Sequence, residues 1–367
     1  MLYKSIIRPL LFQVPPDIAH VLVANGAEAV SRIPLISHAL RAYYQVNDPA
    51  LRVNLGGLIF PNPIGLSAGF DKDGKFGHFA QTFGFGFTEI GSITGQPYAG
   101  NAGPWTRRLV RNESMVINYG LKSEGAERVW KRMRHLKLKI PFGISVAKTN
   151  DSACVGEAAI DDYGKVFDTF RDVGQYYTIN LSCPNTPDGV PFSNPTFLEP
   201  LLSKLTIIRD RRNIRKPIFL KLNPDLDLTT YDAIITLAQR YNITGFVISN
   251  LFKNHAQAQA ALQYPEDYNP TWPGSLSGKP VRNISTEKIR YVYAKTGGKM
   301  FIIGSGGIFT GDHAYEKIRA GASLVQLITG FIFNGPATIR MINKRLLKLL
   351  QRDGFTSISQ AVGADHR

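Results

Sequence analysis

The segment Tyr176-Tyr177-Thr178-Ile179-Asn180-Leu181-Ser182-Cys183-Pro184-Asn185 changes character near its middle. Its first part is rich in β-branched and aromatic residues, which predicts a strand that ends near Leu181. A proline-punctuated loop follows, so the strand end carries two asparagine amides and one thiol. An amide offers a donor beside an acceptor, which matches the edge of a cyclic amide or imide. Cys183 could attack a carbon or take up a proton; a buried, inert thiol is the alternative interpretation.

Seven further apolar runs of the same kind accompany this strand, and helical stretches separate them. The runs are continuous rather than alternating, as expected of strands that are buried on both faces. Together the eight runs span residues 64–68, 87–91, 142–147, 177–181, 218–222, 245–249, 301–304 and 324–328. Eight β runs with helical connections predict an α/β fold of the (β/α)8 TIM-barrel type. A doubly wound open sheet is the alternative.

Composition limits the class of protein without choosing a function. The chain has 367 residues, of which 44% are hydrophobic and 19% charged, as in globular proteins. Its two cysteines cannot form a disulfide framework, which favours a reducing compartment. The net charge of +15 favours an anionic substrate, an anionic membrane or nucleic acid. No uncharged apolar run reaches the length of about 18 residues that predicts a transmembrane helix.

The N-terminal residues predict a short amphipathic helical extension ahead of the barrel. Residues 1–12 place apolar side chains at helical spacing around Lys4 and Arg8, and Pro15-Pro16-Asp17 predicts the start of a second helix. The two helices could cap the barrel, or they could lie in a bilayer interface with their apolar faces down. Basic stretches at 127–139 and 340–352 also look helical; they would form solvated outer faces or contact anionic lipid.

Polar residues at the ends of the eight runs are the candidate functional residues, because barrel active sites lie at the carboxyl ends of the strands. Lys72 and Lys221 could be solvated, or they could stabilise negative charge in a cofactor cleft. Glycine turns at Gly304–Ile308 and at Ile328-Thr329-Gly330 follow runs seven and eight. Barrels commonly bind phosphate at these two loops, although tight turns alone would also explain the glycines. The histidines show no paired spacing, so no metal site is predicted.

Several of these segments resemble the dihydroorotate dehydrogenase family, and most closely its membrane-associated, quinone-reducing class. The segments are residues 68–74, 180–187, 274–278, 304–308, 321–326 and 330–333. The likeness extends from about residue 1 to residue 345. It implies an N-terminal helical segment for membrane binding and quinone entry at 1–45, and an FMN-binding barrel at 46–367.

The resemblance also implies a reaction. The enzyme would oxidise (S)-dihydroorotate to orotate in the synthesis of UMP, with hydride passing to FMN and electrons to a membrane quinone. The implied base is Cys183. The implied substrate contacts are Lys72, Asn118, Asn180, Asn185 and Asn250. The implied flavin contacts are Ala68, Gly69, Ser92, Ser145, Asn180, Lys221, Ser249, Gly278, Gly306, Gly307, Ile328 and Thr329.

The chain departs from the family pattern at several of these positions. Cys183 stands where the quinone class has serine, and cysteine is typical of the soluble class. The family's Asn-Arg-Met-Gly-Phe is replaced by Asn118-Tyr119-Gly120-Leu121, Leu251 replaces a threonine, and Ser145 replaces an asparagine. A soluble acceptor such as fumarate or NAD is therefore one alternative. An RNA-acting flavin barrel of the dihydrouridine synthase type and a non-catalytic phosphate-binding barrel are others.

The resemblance finally implies a location and partners. A peripheral membrane protein on the cytoplasmic face of a bacterial-type inner membrane is expected, in contact with anionic lipid. No nucleic-acid partner is expected, because only residues 331–367 follow the eighth run and its turn, too few for a separate RNA-binding domain.

Overall fold

The computed structural model describes residues 2–181 and 191–367. Eight parallel strands form a closed barrel in which each strand pairs with the next along the chain, and the eighth closes on the first. The predicted TIM barrel is therefore confirmed, and all eight predicted runs are barrel strands. Barrel strands 1 to 8 are Ile64–Leu66, Phe87–Ile93, Phe142–Val146, Tyr176–Asn180, Ile218–Leu222, Gly245–Ile248, Phe301–Ser305 and Leu324–Leu327.

Large rings fill the interior of the barrel where glycines leave room for them. A side chain on Gly65 would clash with the ring of Phe87, and one on Gly143 would clash with the ring of Tyr176. Since Gly65 pairs with Phe87 and Gly143 with Tyr176 in register, each ring lies across the neighbouring strand. Tight packing of this kind makes this part of the interior a solid core rather than a pore.

Helices surround the barrel and precede it. After a π-helical turn at Tyr3–Ile7, helices α1 to α14 are Arg8–Gln13, Pro16–Ser31, Pro34–Tyr44, Gly77–Thr82, Ala126–Met133, Gly156–Thr169, Pro195–Arg211, Leu228–Arg240, His255–Ala260, Arg282–Thr296, Gly311–Arg319, Thr329–Asn334, Thr338–Arg352 and Ile358–Ala361. Short 3-10 turns lie at Pro49–Leu51, Pro191–Ser193, Pro265–Asp267, Lys279–Val281 and Ala364–His366.

The N-terminal extension contains α1, α2 and α3, one helix more than the two expected. Helix α3 starts at Pro34, a residue suited to the first helical turn. Many apolar side chains of the extension face solvent, namely Leu2, Ile6, Ile7, Leu10, Ile18, Val21, Leu22, Val23, Leu35 and Ile36. Within residues 2–181 and 191–367, none of the helices combines the length and hydropathy that crossing a bilayer requires.

Two small antiparallel sheets were not anticipated from the sequence. A hairpin pairs Val53–Leu55 with Leu58–Phe60 ahead of the first barrel strand. A three-stranded sheet is formed by Thr106–Leu109, Ser114–Ile117 and Ser275–Gly278. This second sheet lies at the barrel mouth, since Thr106, Met115 and Ser277 line the cavity there.

Candidate active site

A cavity of about 560 Å³ opens at the carboxyl ends of the barrel strands. Residues from several different strand ends line it, as expected for a barrel active site. Seven of the residues predicted to contact flavin border it: Ala68, Gly69, Ser92, Asn180, Lys221, Ile328 and Thr329. Of the predicted substrate contacts, Lys72, Asn180 and Asn250 border the same cavity. The fold therefore brings residues that are more than 250 positions apart in sequence to a single space.

A row of hydrogen bonds joins four of these polar side chains across the mouth. Asn250 Nδ2 donates to Asn180 Oδ1 at 3.2 Å, and Asn180 Nδ2 donates to Ser92 Oγ at 2.8 Å. The hydroxyls of Ser92 and Ser145 lie 2.8 Å apart. Ser145 does not border the cavity itself but supports Ser92. The row fixes amide and hydroxyl groups from four strand ends in one arrangement.

Lys221 on barrel strand 5 shares the buried interior with an acid that the sequence prediction missed. Glu89 on strand 2 is fully buried, and Thr178 Oγ1 donates to its Oε2 at 2.8 Å. Burial raises the pKa of the Glu89 carboxyl, and the positive charge of Lys221 acts in the opposite direction. The only sequence signal for Glu89 is a lone acid within an otherwise apolar run.

The glycine turns after strands 7 and 8 lie against each other. A side chain on Gly330 would clash with the carbonyl oxygen of Ile308, and one on Gly307 would clash with Arg282 at the start of α10. Gly306 and Gly307 have φ values of +103° and +69°, a region that favours glycine. Glycine is therefore required at these turns for close packing of the backbone, and Ile328 and Thr329 of the second turn border the cavity.

The remaining predicted flavin contacts lie beside these turns. The Ser249 N–H donates to the carbonyl oxygen of Ser305 at 3.0 Å. A side chain on Gly278 would come within 3.0 Å of Thr329 Cγ2, and Thr329 Oγ1 donates to Ser277 Oγ at 3.0 Å. Seven of the twelve predicted flavin contacts therefore line the cavity, and the other five lie at neighbouring strand ends or turns without bordering it.

Lys72 lies on the cavity wall in the loop after strand 1. Its Nζ donates to the Gly69 carbonyl oxygen at 2.9 Å and lies 3.6 Å from the centre of the Tyr119 ring. Burial lowers the pKa of Lys72 to about 8, although the nearby carboxylates of Asp73 and Asp17 raise it. Tyr119 belongs to the stretch that the sequence analysis expects to differ from the family pattern, and no sequence signal indicated its contact with Lys72.

Asn118 is buried just behind the same wall. Its Oδ1 accepts a hydrogen bond from Asn101 Nδ2 at 3.0 Å, and its own Nδ2 lies 3.4 Å from the Ala102 carbonyl oxygen. Asn101 thus joins the site as a neighbour that the sequence prediction missed. Cys183 and Asn185, the predicted base and one predicted substrate contact, lie outside the described residues.

The other end of the cavity is apolar and reaches the N-terminal extension. Side chains of α1 and α2 line it together with phenylalanines of the barrel helices, including Leu11, Ala19, Val23, Phe79 and Phe331. This cavity is continuous from those helices to Lys221 at the barrel mouth. A flat apolar molecule could therefore approach the mouth from the side of the exposed helices.

Two polar residues stand in this apolar part. Arg108 donates to the carbonyl oxygens of Phe12 and Val14 at 3.2 and 2.8 Å. His20 packs its ring edge against Phe70, and burial together with the charge of Lys72 lowers the pKa of His20 to about 4. The imidazole is therefore neutral at physiological pH. Neither residue was anticipated, because each makes its contacts only in the folded chain.

Comparison with known proteins gives a consistent result. The family model for dihydroorotate dehydrogenase matches residues 50–350. Proteins named dihydroorotate dehydrogenase (quinone) from Nostoc punctiforme and Haloarcula marismortui are 36% and 35% identical; the alignments cover 99% and 98% of this chain and 98% and 99% of those proteins.

Solved structures show the same likeness. A crystal structure of the Eimeria tenella DHODH in complex with ferulenol has a TM-score of 0.82 at 29% identity and covers 96% of each chain. The ligand-free form of that protein has a TM-score of 0.78 and covers 91% of this chain and 99% of its own. Agreement in sequence over nearly the full length, together with agreement in fold, makes this chain a member of the dihydroorotate dehydrogenase family.

Proposed function

We propose that the protein oxidises (S)-dihydroorotate to orotate in de novo pyrimidine biosynthesis and passes the electrons through FMN to a membrane quinone. The observation that carries this proposal is the single cavity that joins the polar barrel mouth to the apolar N-terminal helices. The names of the relatives support the quinone as acceptor. Neither a soluble acceptor nor an RNA substrate has comparable support.

The residues at the mouth suit FMN. Ala68, Gly69 and Gly91 are small, so a planar ring system could lie against the strand ends. The glycine turns at 306–307 and 330 would bind its phosphate, because backbone N–H groups bind anions and both turns follow strand ends at the mouth. When bound, FMN supplies an acceptor for the substrate hydride and a donor of electrons to the quinone.

The chain's own residues would bind, orient and deprotonate the substrate. Lys72 would pair with the carboxylate of dihydroorotate. The amides of Asn118, Asn180, Asn185 and Asn250 would bind the edges of its ring. Cys183 would remove the proton from C5 while hydride leaves C6, which forms the C5–C6 double bond of orotate. Lys221 would stabilise the negative charge that the reduced cofactor acquires.

The N-terminal segment, residues 1–45, would bind the membrane surface as a peripheral anchor for the barrel of residues 46–367. Leu10, Leu22 and Leu35 are 61%, 63% and 82% exposed, which is costly for a chain surrounded by water alone. Lys4 and Arg8 lie on the same extension, and cations near an apolar face favour anionic headgroups. The cytoplasmic face of a bacterial-type inner membrane is the proposed location.

One series of measurements tests the proposal. The purified protein should show a flavin absorbance spectrum, and anaerobic dihydroorotate should bleach it. Quinone, fumarate and NAD are then offered separately to the reduced protein, and quinone should restore the spectrum fastest. Absence of bleaching would reject dihydroorotate as substrate. Faster reoxidation by fumarate or NAD would instead support a soluble acceptor.

A further inference from the structure

We infer that Asp17 and Tyr119 are positioning residues for Lys72, so that helix α2 of the N-terminal extension forms part of the substrate site as well as the wall of the apolar passage. This inference rests on the proposed function, in which Lys72 binds the substrate carboxylate. It concerns the stretch at which the chain departs from its family's pattern.

Tyr119 limits the directions in which the Lys72 ammonium can donate. An ammonium has three N–H donors. One is directed to the Gly69 carbonyl oxygen at 2.9 Å, and the face of the Tyr119 ring lies 3.6 Å from Nζ. An aromatic face attracts a cation at this distance. Because Lys72 also borders the cavity, its remaining donor capacity is available to an anion held there.

Asp17 in turn holds the Tyr119 ring in place. The Tyr119 hydroxyl donates to Asp17 Oδ1 at 2.9 Å. The second carboxylate oxygen of Asp17 accepts a hydrogen bond from the backbone N–H of Trp105 at 3.2 Å. The Trp105 ring stacks on Tyr119 with 5.5 Å between ring centres. Asp17 lies in the first turn of α2, where a carboxylate is favoured by the helix dipole. Helix α2 therefore holds the Tyr119 ring in contact with Lys72, the lysine proposed to bind the substrate.

Asp17 also contributes charge. Its carboxylate raises the pKa of Lys72 against the opposing effect of burial, and the balance lies at about 8. Lys72 is charged below that value and neutral above it, so its affinity for a carboxylate should fall as pH rises through 8. Removing the Asp17 charge lowers the pKa further and moves this loss to lower pH. The charged groups that act on Lys72 are Asp71 and Asp73 in its own loop, Lys122 before α5, and Asp17 of α2. Two further titratable groups face it: His20, whose imidazole is neutral, and Tyr119, whose pKa is raised by burial.

The test measures orotate affinity of the full-length, flavin-loaded protein from the change in flavin absorbance between pH 6 and pH 10. Asp17→Asn keeps an oxygen acceptor for Tyr119 but removes the charge, and it should move the midpoint of the affinity loss to lower pH than in the wild type. Tyr119→Leu removes the ring and should weaken orotate binding by about tenfold at pH 7. Tyr119→Phe keeps the ring and should lose less affinity than Tyr119→Leu.

Controls separate this inference from the proposed function and from a purely structural effect. Asp161→Asn changes an exposed carboxylate on α6 and should keep the wild-type midpoint. A wild-type protein that carries flavin but binds no orotate at any pH would reject the proposed function. Orotate binding in the wild type with an unchanged midpoint in Asp17→Asn would overturn the inference. If Asp17→Asn does not fold, equal affinities of Tyr119→Leu and the wild type would overturn it instead.

Discussion

The carboxylate of Glu28, on α2, lies 2.9 Å from Nδ1 of His78, at the start of α4. The same carboxylate accepts the backbone N–H groups of His78 and Phe79 at 3.0 and 3.2 Å and lies 3.0 Å from Nε of Arg32. Glu28 is only 5% exposed. A side chain of the N-terminal extension therefore accepts hydrogen bonds from backbone N–H groups in the first turn of α4. These hydrogen bonds anchor the extension to the barrel.

Replacing Glu28 with alanine should loosen this anchor. The N–H of His78 would lose its acceptor, and the N–H of Phe79 would keep only the Phe76 carbonyl oxygen, at a cost of about 1–3 kcal/mol in the free energy of unfolding. Urea denaturation measures that loss, and limited proteolysis should cleave the N-terminal helices sooner than in the wild type. Glu287→Ala, at an exposed position on α10, is the control and should change stability by less than about 0.5 kcal/mol. Equal stability of the two variants would contradict the anchoring role.

Lys221→Met should have two separable effects. The midpoint potential of bound flavin should become more negative, because a cation that favours the reduced anion is lost. The protein should also lose stability, because the buried Glu89 carboxyl loses the positive charge that opposes its desolvation. The double variant Lys221→Met/Glu89→Gln should recover stability but keep the lower potential, since Lys221 borders the cavity whereas Glu89 does not. Recovery of the potential together with stability would contradict the role of Lys221.

Cys183→Ala should slow flavin reduction by dihydroorotate by about 10²–10⁴-fold, the usual contribution of a general base. In the wild type this rate should rise with pH towards the ordinary thiol pKa of about 8.5, because the thiolate is the active form. Stopped-flow bleaching measures both. Cys154→Ala is the matched control: Cys154 is buried, burial raises its pKa to about 11, and its loss should leave the pH profile unchanged. An unchanged profile in Cys183→Ala would remove that residue from the base role.

Val23→Trp should block the apolar passage without disturbing the barrel. Val23 lines the cavity and is 43% exposed, so a larger ring could enter the cavity at little packing cost. The KM for quinone should rise about tenfold, equivalent to about 1.4 kcal/mol of binding, while flavin bleaching by dihydroorotate stays near the wild-type rate. Val21→Trp, on the same helix and 51% exposed but away from the cavity lining, is the control. The same KM for both variants would contradict quinone entry at this helix.

The barrel was predictable because its strands are buried on both faces and therefore form continuous apolar runs. Once eight such runs are recognised, parallel pairing brings their carboxyl ends together, and the clustering of Ser92, Asn180 and Lys221 follows. The antiparallel sheet at the mouth was not predictable in this way. Its strands, among them Thr106–Leu109, are only four residues long, which is too short to show a long apolar run or a clean alternation of buried and exposed residues.

The contact between Asp17 and Tyr119 shows a second limit. The two residues are 102 positions apart, and each is unremarkable locally: one is an acid at a helix start, the other a tyrosine after a strand. Only the folded chain shows that the Tyr119 ring contacts Lys72 and that the Tyr119 hydroxyl donates a hydrogen bond to Asp17. The sequence alone predicted an unusual loop here, but not the contact that the loop makes.

The position of the cavity's apolar opening also determines how the turnover rate would depend on the amount of lipid. Because its apolar end opens among the exposed N-terminal helices, a lipid-dissolved oxidant would reach the cofactor by lateral diffusion without ever entering water. The supply of oxidant would then depend on its mole fraction in the lipid phase rather than on its total concentration. Adding inert lipid or detergent at a constant amount of quinone should slow steady-state turnover and leave the dihydroorotate half-reaction untouched.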